Sequence, residues 1–346
     1  MLLSRNFPRF KRFVSSVAAP ALQKESKNHP LWDKHNRFHN YLRISIVEKC
    51  NLQCKYCVPD GDVHYSEKSQ LLTVSEIGRL AKTFVKLGVE KIRLTGGEPT
   101  IRSDLVEIIA SLNDLRPMGL KEIALTTNGL VLARRMKSYR EAGLDSVNIS
   151  LDTLNPEKYQ YISGLNGLGK VLKGIFTSLE LGIEPVKLNV VVMSGVNEAE
   201  MSNFVELTRE HKIDVRFLEF MPFDGNKWSR DKMVPYKKMM AIVKNTYPNL
   251  ETLGNKASDT AKSFYVPGYK GQIGFITSMS DHFCSGCNRL RITADGNLKA
   301  CLFGNNEVDL KKQLRDGLVS DSELSELISI AVKRKSPRHG GKTLLL

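Results

Sequence analysis

Six short segments of this chain place an apolar residue at every second position, and amphipathic helical patterns separate them. The strand-like runs fall at 42–47, 91–95, 122–127, 146–151, 186–192 and 214–220. The helical patterns fall at about 75–87, 102–113, 131–142, 169–181 and 198–210. Strands that alternate with helices argue for a parallel α/β sheet. The alternation stops near Phe220, short of the roughly 250 residues of an eight-unit barrel, so an incomplete (β/α)6 barrel fits better. That barrel is expected over 40–221. Residues 222–315 read as a separate, less regular layer, and 316–346 as a closing helix and tail.

Parallel strands covered on both faces normally read as nearly continuous apolar runs. Here Leu42, Ile44 and Ile46 oppose Arg43 and Ser45, and Ile92 and Leu94 oppose Arg93 and Thr95. Ile123 and Leu125 oppose Glu122 and Thr126. Val147, Ile149 and Leu151 oppose Asn148 and Ser150, and Val186, Leu188 and Val190 oppose Lys187 and Asn189. With a period of two, one side of the sheet is apolar and the other polar. In a curved barrel the polar side is the lumen. Arg43, Arg93 and Lys187 inside it would be costly unless it held water and a charged ligand. An antiparallel sheet with one wet face gives the same alternation, but the intervening helices count against it.

The chain carries 51 Lys+Arg against 37 Asp+Glu, a net charge of +14, which suits an anionic ligand, nucleic acid or a basic leader. Arg5, Arg9, Lys11, Arg12 and Lys24 interleave with Leu2, Leu3, Phe7, Phe10 and Phe13, and no acid precedes Glu25. Residues 1–24 therefore read as a mitochondrial transit peptide, and the expected location is the mitochondrial matrix. The body stays basic once those five cations are set aside. No apolar run approaches the ~18 residues of a membrane span.

All six cysteines form two triplets, Cys50, Cys54, Cys57 and Cys284, Cys287, Cys301. Thiols at such spacing point to a metal or iron–sulfur site rather than to disulfides. Asp295-Gly296 is a two-residue hairpin signal. Pairing Ala294 with Asn297 across it sets Leu290 opposite Cys301 and returns Cys301 toward Cys284 and Cys287. A zinc site could complete either triplet with His64 or His282, although a plain loop histidine is the better reading of each. A cubane held by three cysteines instead leaves one iron open to a ligand.

The run Cys50-Asn51-Leu52-Gln53-Cys54-Lys55-Tyr56-Cys57, followed by Gly96-Gly97-Glu98-Pro99, resembles the radical S-adenosylmethionine (SAM) family. The segment from Phe283 to Arg291, with Asp295-Gly296 and Cys301-Leu302-Phe303, narrows the resemblance to the GTP 3′,8-cyclases that open molybdenum cofactor biosynthesis. Blocks at 42–45, 93–99, 125–129, 148–152, 187–191 and 216–222 are similar to that family's and follow its order, so the resemblance covers about 40–304.

This resemblance implies two [4Fe-4S] clusters and SAM as cofactors. Cys50, Cys54 and Cys57 would hold the first cluster, and Cys284, Cys287 and Cys301 the second, in the C-terminal layer. Tyr56, Gly97, Ser150 and Met221 match SAM-contacting positions. Arg43, Arg93, Thr126, Lys187, Arg289 and Arg291 match GTP-contacting positions, with the second cluster's open iron at the guanine. The implied reaction is radical cyclisation of GTP to 3′,8-cyclo-7,8-dihydro-GTP, begun by hydrogen abstraction from C3′. The implied partners are GTP, an electron donor, a downstream cyclic pyranopterin monophosphate synthase and a second copy of the chain in a homodimer, with no nucleic acid. Members of this family end in Gly-Gly. Here Gly340-Gly341 is internal and Leu344–Leu346 follow, so slow turnover is expected of this tail. Two rival readings are a radical peptide-modifying maturase, which would carry more C-terminal cysteines, and a zinc-stabilised nucleic-acid-binding protein, which would expose basic and aromatic clusters.

Overall fold

The computed structural model describes residues 29–57, 65–222, 226, 228–304, 307–317 and 319–339. The proposed leader, His64 and the tail from Gly340 lie outside them. In chain order the elements begin β1 (Tyr41–Ser45), α1 (Val74–Lys86), β2 (Lys91–Thr95), α2 (Leu105–Asn113), β3 (Glu122–Thr127), α3 (Leu132–Glu141) and β4 (Ser146–Ser150). They continue α4 (Pro156–Ser163), α5 (Leu168–Glu180), β5 (Val186–Val192), α6 (Met201–Glu210), β6 (Ile213–Glu219) and α7 (Tyr236–Thr246). The chain closes with β7 (Glu251–Thr252), β8 (Ala261–Tyr265), β9 (Gln272–Ile276), β10 (Arg289–Ile292), β11 (Asn297–Lys299), β12 (Glu307–Asp309), α8 (Leu310–Arg315) and α9 (Asp321–Lys333).

All strands join one sheet in the order β12-β11-β10-β1-β2-β3-β4-β5-β6-β9-β8-β7. The first six strands are parallel and sequential, as the alternation predicts. The C-terminal region also adds strands to this sheet. β10 pairs parallel to β1, and β9 pairs parallel to β6. The C-terminal segment thus extends the arc at both edges, because β1 and β6 end the sequential array with unpaired backbone groups that need partners. No helix among the described residues is long and apolar enough to cross a membrane.

Ile44, Ile92, Leu125, Ile149, Leu188 and Val215 are completely buried beneath the helices. Each such side chain contributes on the order of 1.5–3 kcal/mol. Helix α4 was not anticipated. Its Asn155 side chain accepts from the Lys158 amide at 2.9 Å, Pro156 opens the helix and Gly164 ends it at φ +77°. That cap–Pro–Gly pattern was legible; the short span between β4 and α5 concealed it.

Candidate active site

β1, β2 and β10 carry arginines at one register. Arg43 is paired with Arg93 on one side and with Arg291 on the other. Three guanidiniums abreast repel one another, and the core gains nothing from them. They line a cavity of about 980 Å³ together with Lys187, Arg216 and Arg289. Arg93 donates to Tyr41 and, at 3.3 Å, to Thr126 Oγ1. Burial, then the charges of Arg43 and Arg289, bring Arg291 down to about 9. Farther along the arc, Asn148, Lys187 and Asp214 share one register on β4, β5 and β6. Arg216 Nη2 donates to Asp214 Oδ2 at 2.6 Å.

Buried polar atoms are ordinarily satisfied. Here Asn148 Oδ1, Asn189 Oδ1, Asp214 Oδ1, Asn288 Oδ1, Arg289 Nε and His282 Nδ1 are buried without a partner, and all six residues line the cavity. The four oxygens call for a ligand with N–H or O–H donors, and Arg289 Nε for an acceptor such as an anionic oxygen.

Cys284, Cys287 and Cys301 line the same cavity. The hairpin delivering Cys301 differs in register from the sequence expectation. Arg291 pairs with Lys299 and Ile292 with Leu298, one residue off the predicted pairing. The loop has three residues, Ala294 to Gly296, with Gly296 at φ +89° and its amide on the Thr293 carbonyl at 3.0 Å. Thr293 side-chain bonds to Asp295 and Asn297 favour this longer turn over the two-residue one. Cys301 lines the same cavity as the other two cysteines in this register too. Burial raises Cys284, and so do the charges of Cys287 and Cys301. Burial also pushes Cys287 up, but Arg289 and Lys335 outweigh it and bring the thiol down to about 6.

The first triplet lies beyond the C-terminal end of β1, outside that lining. Its loop is held from three sides. The Gln53 and Lys55 amides donate to the Ser163 and Ile162 carbonyls at the end of α4. Gly97 N donates to Val47 O at 2.8 Å, and Glu98 N to Lys49 O at 2.9 Å. Glu98, buried, accepts from Thr127 Oγ1 and Asn128 N, both at 2.6 Å, and Asn128 Nδ2 reaches Asn51 Oδ1 at 2.7 Å. Burial pushes Cys54 up, and the charges of Asp152, Cys57 and Cys50 act in the same direction. Tyr56 donates to Asp152 Oδ2 at 2.6 Å, and burial raises Asp152 to about 6. Asn226 Nδ2 bridges the Tyr56 and Met221 carbonyls at 3.4 and 3.1 Å. Met221 lines the cavity, and Ser150 ends β4 two residues before Asp152.

All six cysteines are free thiols. Among the described residues no three His, Cys, Asp or Glu side chains could hold a single metal ion. A cubane takes one thiolate per iron and spreads its ligands more widely. Three free cysteines beyond β1 and three lining the cavity offer that donor chemistry.

Sequence reasoning passed over Lys91, Arg216 and Asp152. Lys91 and Arg216 share the strand parity of Arg93 and Asp214, so the alternation could have found them. It also passed over Lys335, whose part depends on tertiary contact alone.

Residues 44–208 match the radical SAM superfamily, and 213–341 match Molybdenum Cofactor Synthesis C. The fold is similar to that of Streptococcus suis SuiB bound to S-adenosylmethionine, with a TM-score of 0.59 at 14% identity over 86% of this chain and 69% of that one. The architecture is therefore that of a radical SAM protein. Molybdenum cofactor biosynthesis protein 1 of Mus musculus is 56% identical over 90% of this chain and 48% of that protein. The mitochondrial GTP 3′,8-cyclase of Arabidopsis thaliana is 51% identical over 95% of this chain and 84% of that protein. The GTP 3′,8-cyclase of Syntrophomonas wolfei is 42% identical over 89% of this chain and 94% of that protein. The chain belongs to the GTP 3′,8-cyclase family of molybdenum cofactor biosynthesis. It spans about half the length of the curated animal relatives it matches.

Proposed function

We propose that this chain cyclises GTP to 3′,8-cyclo-7,8-dihydro-GTP, the first step toward the molybdenum cofactor, using SAM and two [4Fe-4S] clusters. The row Arg291–Arg43–Arg93 facing a cavity shared with the second cysteine triplet carries the reading. A triphosphate neutralises such a row with charge-assisted hydrogen bonds. Cys50, Cys54 and Cys57 would hold the first cluster, with Tyr56, Gly97, Ser150 and Met221 placed about SAM. Cys284, Cys287 and Cys301 would hold the second at the guanine end. Arg43, Arg93, Thr126, Lys187, Arg289 and Arg291 would bind and orient GTP. When bound, these cofactors supply one-electron radical chemistry, and the protein supplies orientation and electrostatics. The name of the plant relative and the basic leader support a mitochondrial matrix location. An electron donor, a downstream cyclic pyranopterin monophosphate synthase and homodimeric association follow from the same family reading.

Anaerobic reconstitution is expected to load about eight irons per chain and to convert GTP to the cyclised product. Zinc in place of iron, or GTP returned unchanged by the loaded chain, rejects the reading.

Arg289→Ala and Lys187→Ala should each weaken GTP binding by roughly 1.5–3 kcal/mol, the scale of a hydrogen bond to a charged group. Guanosine should bind poorly to the parent and lose less on substitution. Equal calorimetric affinities for triphosphate and nucleoside in parent and variants would show that these cations do not serve phosphate.

Burial, then the charges of Arg216, Lys91 and Arg93, lower Lys187 to about 7. The side chain is charged below that pH and neutral above it. Its contribution to anion binding should therefore fall as the pH rises through about 7, by at most about tenfold per pH unit. Lys187→Arg stays charged, and comparing the two proteins cancels the ligand's own titration. An affinity ratio that stays flat across this range contradicts the assignment.

A further inference from the structure

Behind the second triplet, a segment preceding the barrel meets the segment that follows α9. Lys335 is buried, with 5% of its surface exposed. Its ammonium nitrogen lies 3.3 Å from Cys287 Sγ, 2.9 Å from the Arg289 carbonyl and 3.5 Å from His39 Nδ1. Three acceptors thus meet its three donors. His39 is fully buried, and its Nε2 lies 3.0 Å from Asp33 Oδ2. A neutral imidazole with its proton on Nε2 satisfies both neighbours, donating to Asp33 and accepting from Lys335. Arg37 completes the clamp. It donates to Asp33 Oδ2 at 2.6 Å, to the Ser336 and Pro337 carbonyls at 2.8 and 3.0 Å, and to the Cys284 carbonyl at 2.8 Å.

Burying an ammonium is costly unless something fixed needs it. The core gains little from Lys335, since a methionine would fill the space without that cost. A chain of side chains from Asp33 through His39 nevertheless aims it at one cysteine of the triplet.

We propose that Lys335 is a positioning residue of the second iron–sulfur site, held by Asp33 and His39 so that it donates to Cys287 Sγ and favours the reduced cluster. The proposal rests on the reading of Cys284, Cys287 and Cys301 as cluster ligands. Hydrogen bonds and charge at a cluster sulfur set its potential. A donated hydrogen bond from a cation stabilises the state with the added electron.

The test uses the full chain with Cys50→Ala, Cys54→Ala and Cys57→Ala, so that only the second site can load. After anaerobic reconstitution, iron and sulfide are counted and the midpoint is measured by an EPR-monitored redox titration. Lys335→Met should retain the cluster and shift the reduction equilibrium about tenfold toward the oxidised form, equivalent to 59 mV for one electron. Lys335→Arg should restore most of that shift. A midpoint and EPR spectrum unchanged in Lys335→Met overturn the proposal. Should that variant not fold, Lys335→Gln replaces it with the same expectation. Failure of both to fold, read by far-UV circular dichroism, assigns Lys335 to the scaffold and also overturns the proposal. A background protein that loads no cluster rejects the two-cluster reading itself, a result separate from any effect of Lys335.

Discussion

Cys54→Ser is expected to abolish SAM cleavage altogether, while Cys287→Ser leaves some cleavage and removes GTP cyclisation. The two triplets sit differently. Cys54 lies in a loop fastened to α4 and to the Gly97–Glu98 turn, away from the cavity lining. Cys287 lines the cavity beside Arg289, whose Nη2 lies 3.7 Å from its sulfur. Removing one of three thiolates leaves a cubane with too few protein ligands. Each variant should therefore lose about four irons, from one site only. Counting iron and separating 5′-deoxyadenosine from cyclised nucleotide distinguishes them. Normal cyclisation by Cys287→Ser removes the second triplet from the GTP site.

Gly97→Ala should be as damaging to the first site as a lost cysteine. A Cβ at Gly97 would lie 2.2 Å from the Glu48 carbonyl oxygen and 2.3 Å from that of Lys49. Both are backbone atoms just before Cys50, so no rotamer change relieves the overlap. Overpacking of this kind costs typically about 1–3 kcal/mol, and here the displacement falls on the segment that presents the first thiol. Iron should drop from about eight toward about four per chain, with a lower Tm. Gly169, which opens onto free space near the start of α5, is the control. Alanine there should be neutral or stabilise by up to about 1 kcal/mol. Parent iron content and Tm in Gly97→Ala would show that the close approach is dispensable.

The period-two pattern of β1 to β6 reveals the lumen because side chains of a strand alternate by covalent geometry, whatever the surroundings. Arg43, Arg93, Thr126 and Lys187 were legible for that reason, and the cysteine triplets were legible because their ligands lie close in sequence. The pattern could not say what closes the ends of the arc. β9 carries little signal of its own and β10 was legible only as an arm of the Asp295-Gly296 hairpin, and they pair with β6 and β1 because those strands leave backbone groups to be met. Only that pairing sets Arg291 beside Arg43 and turns separate basic residues into one row. The one-residue change at the Asp295-Gly296 turn has a similar origin. Thr293 bonds to Asp295 and Asn297 decide the loop length, and dipeptide preference does not weigh them. Lys335 marks the same boundary. In the sequence it is one more cation in a basic C-terminus. Asp33, Arg37 and His39, about 300 residues upstream, place it against Cys287. The sequence by itself determined the six sequential strands, their two faces and the cysteine triplets. Tertiary structure decided which charges share a register and which buried cation meets which sulfur, because those contacts join segments that no local periodicity relates.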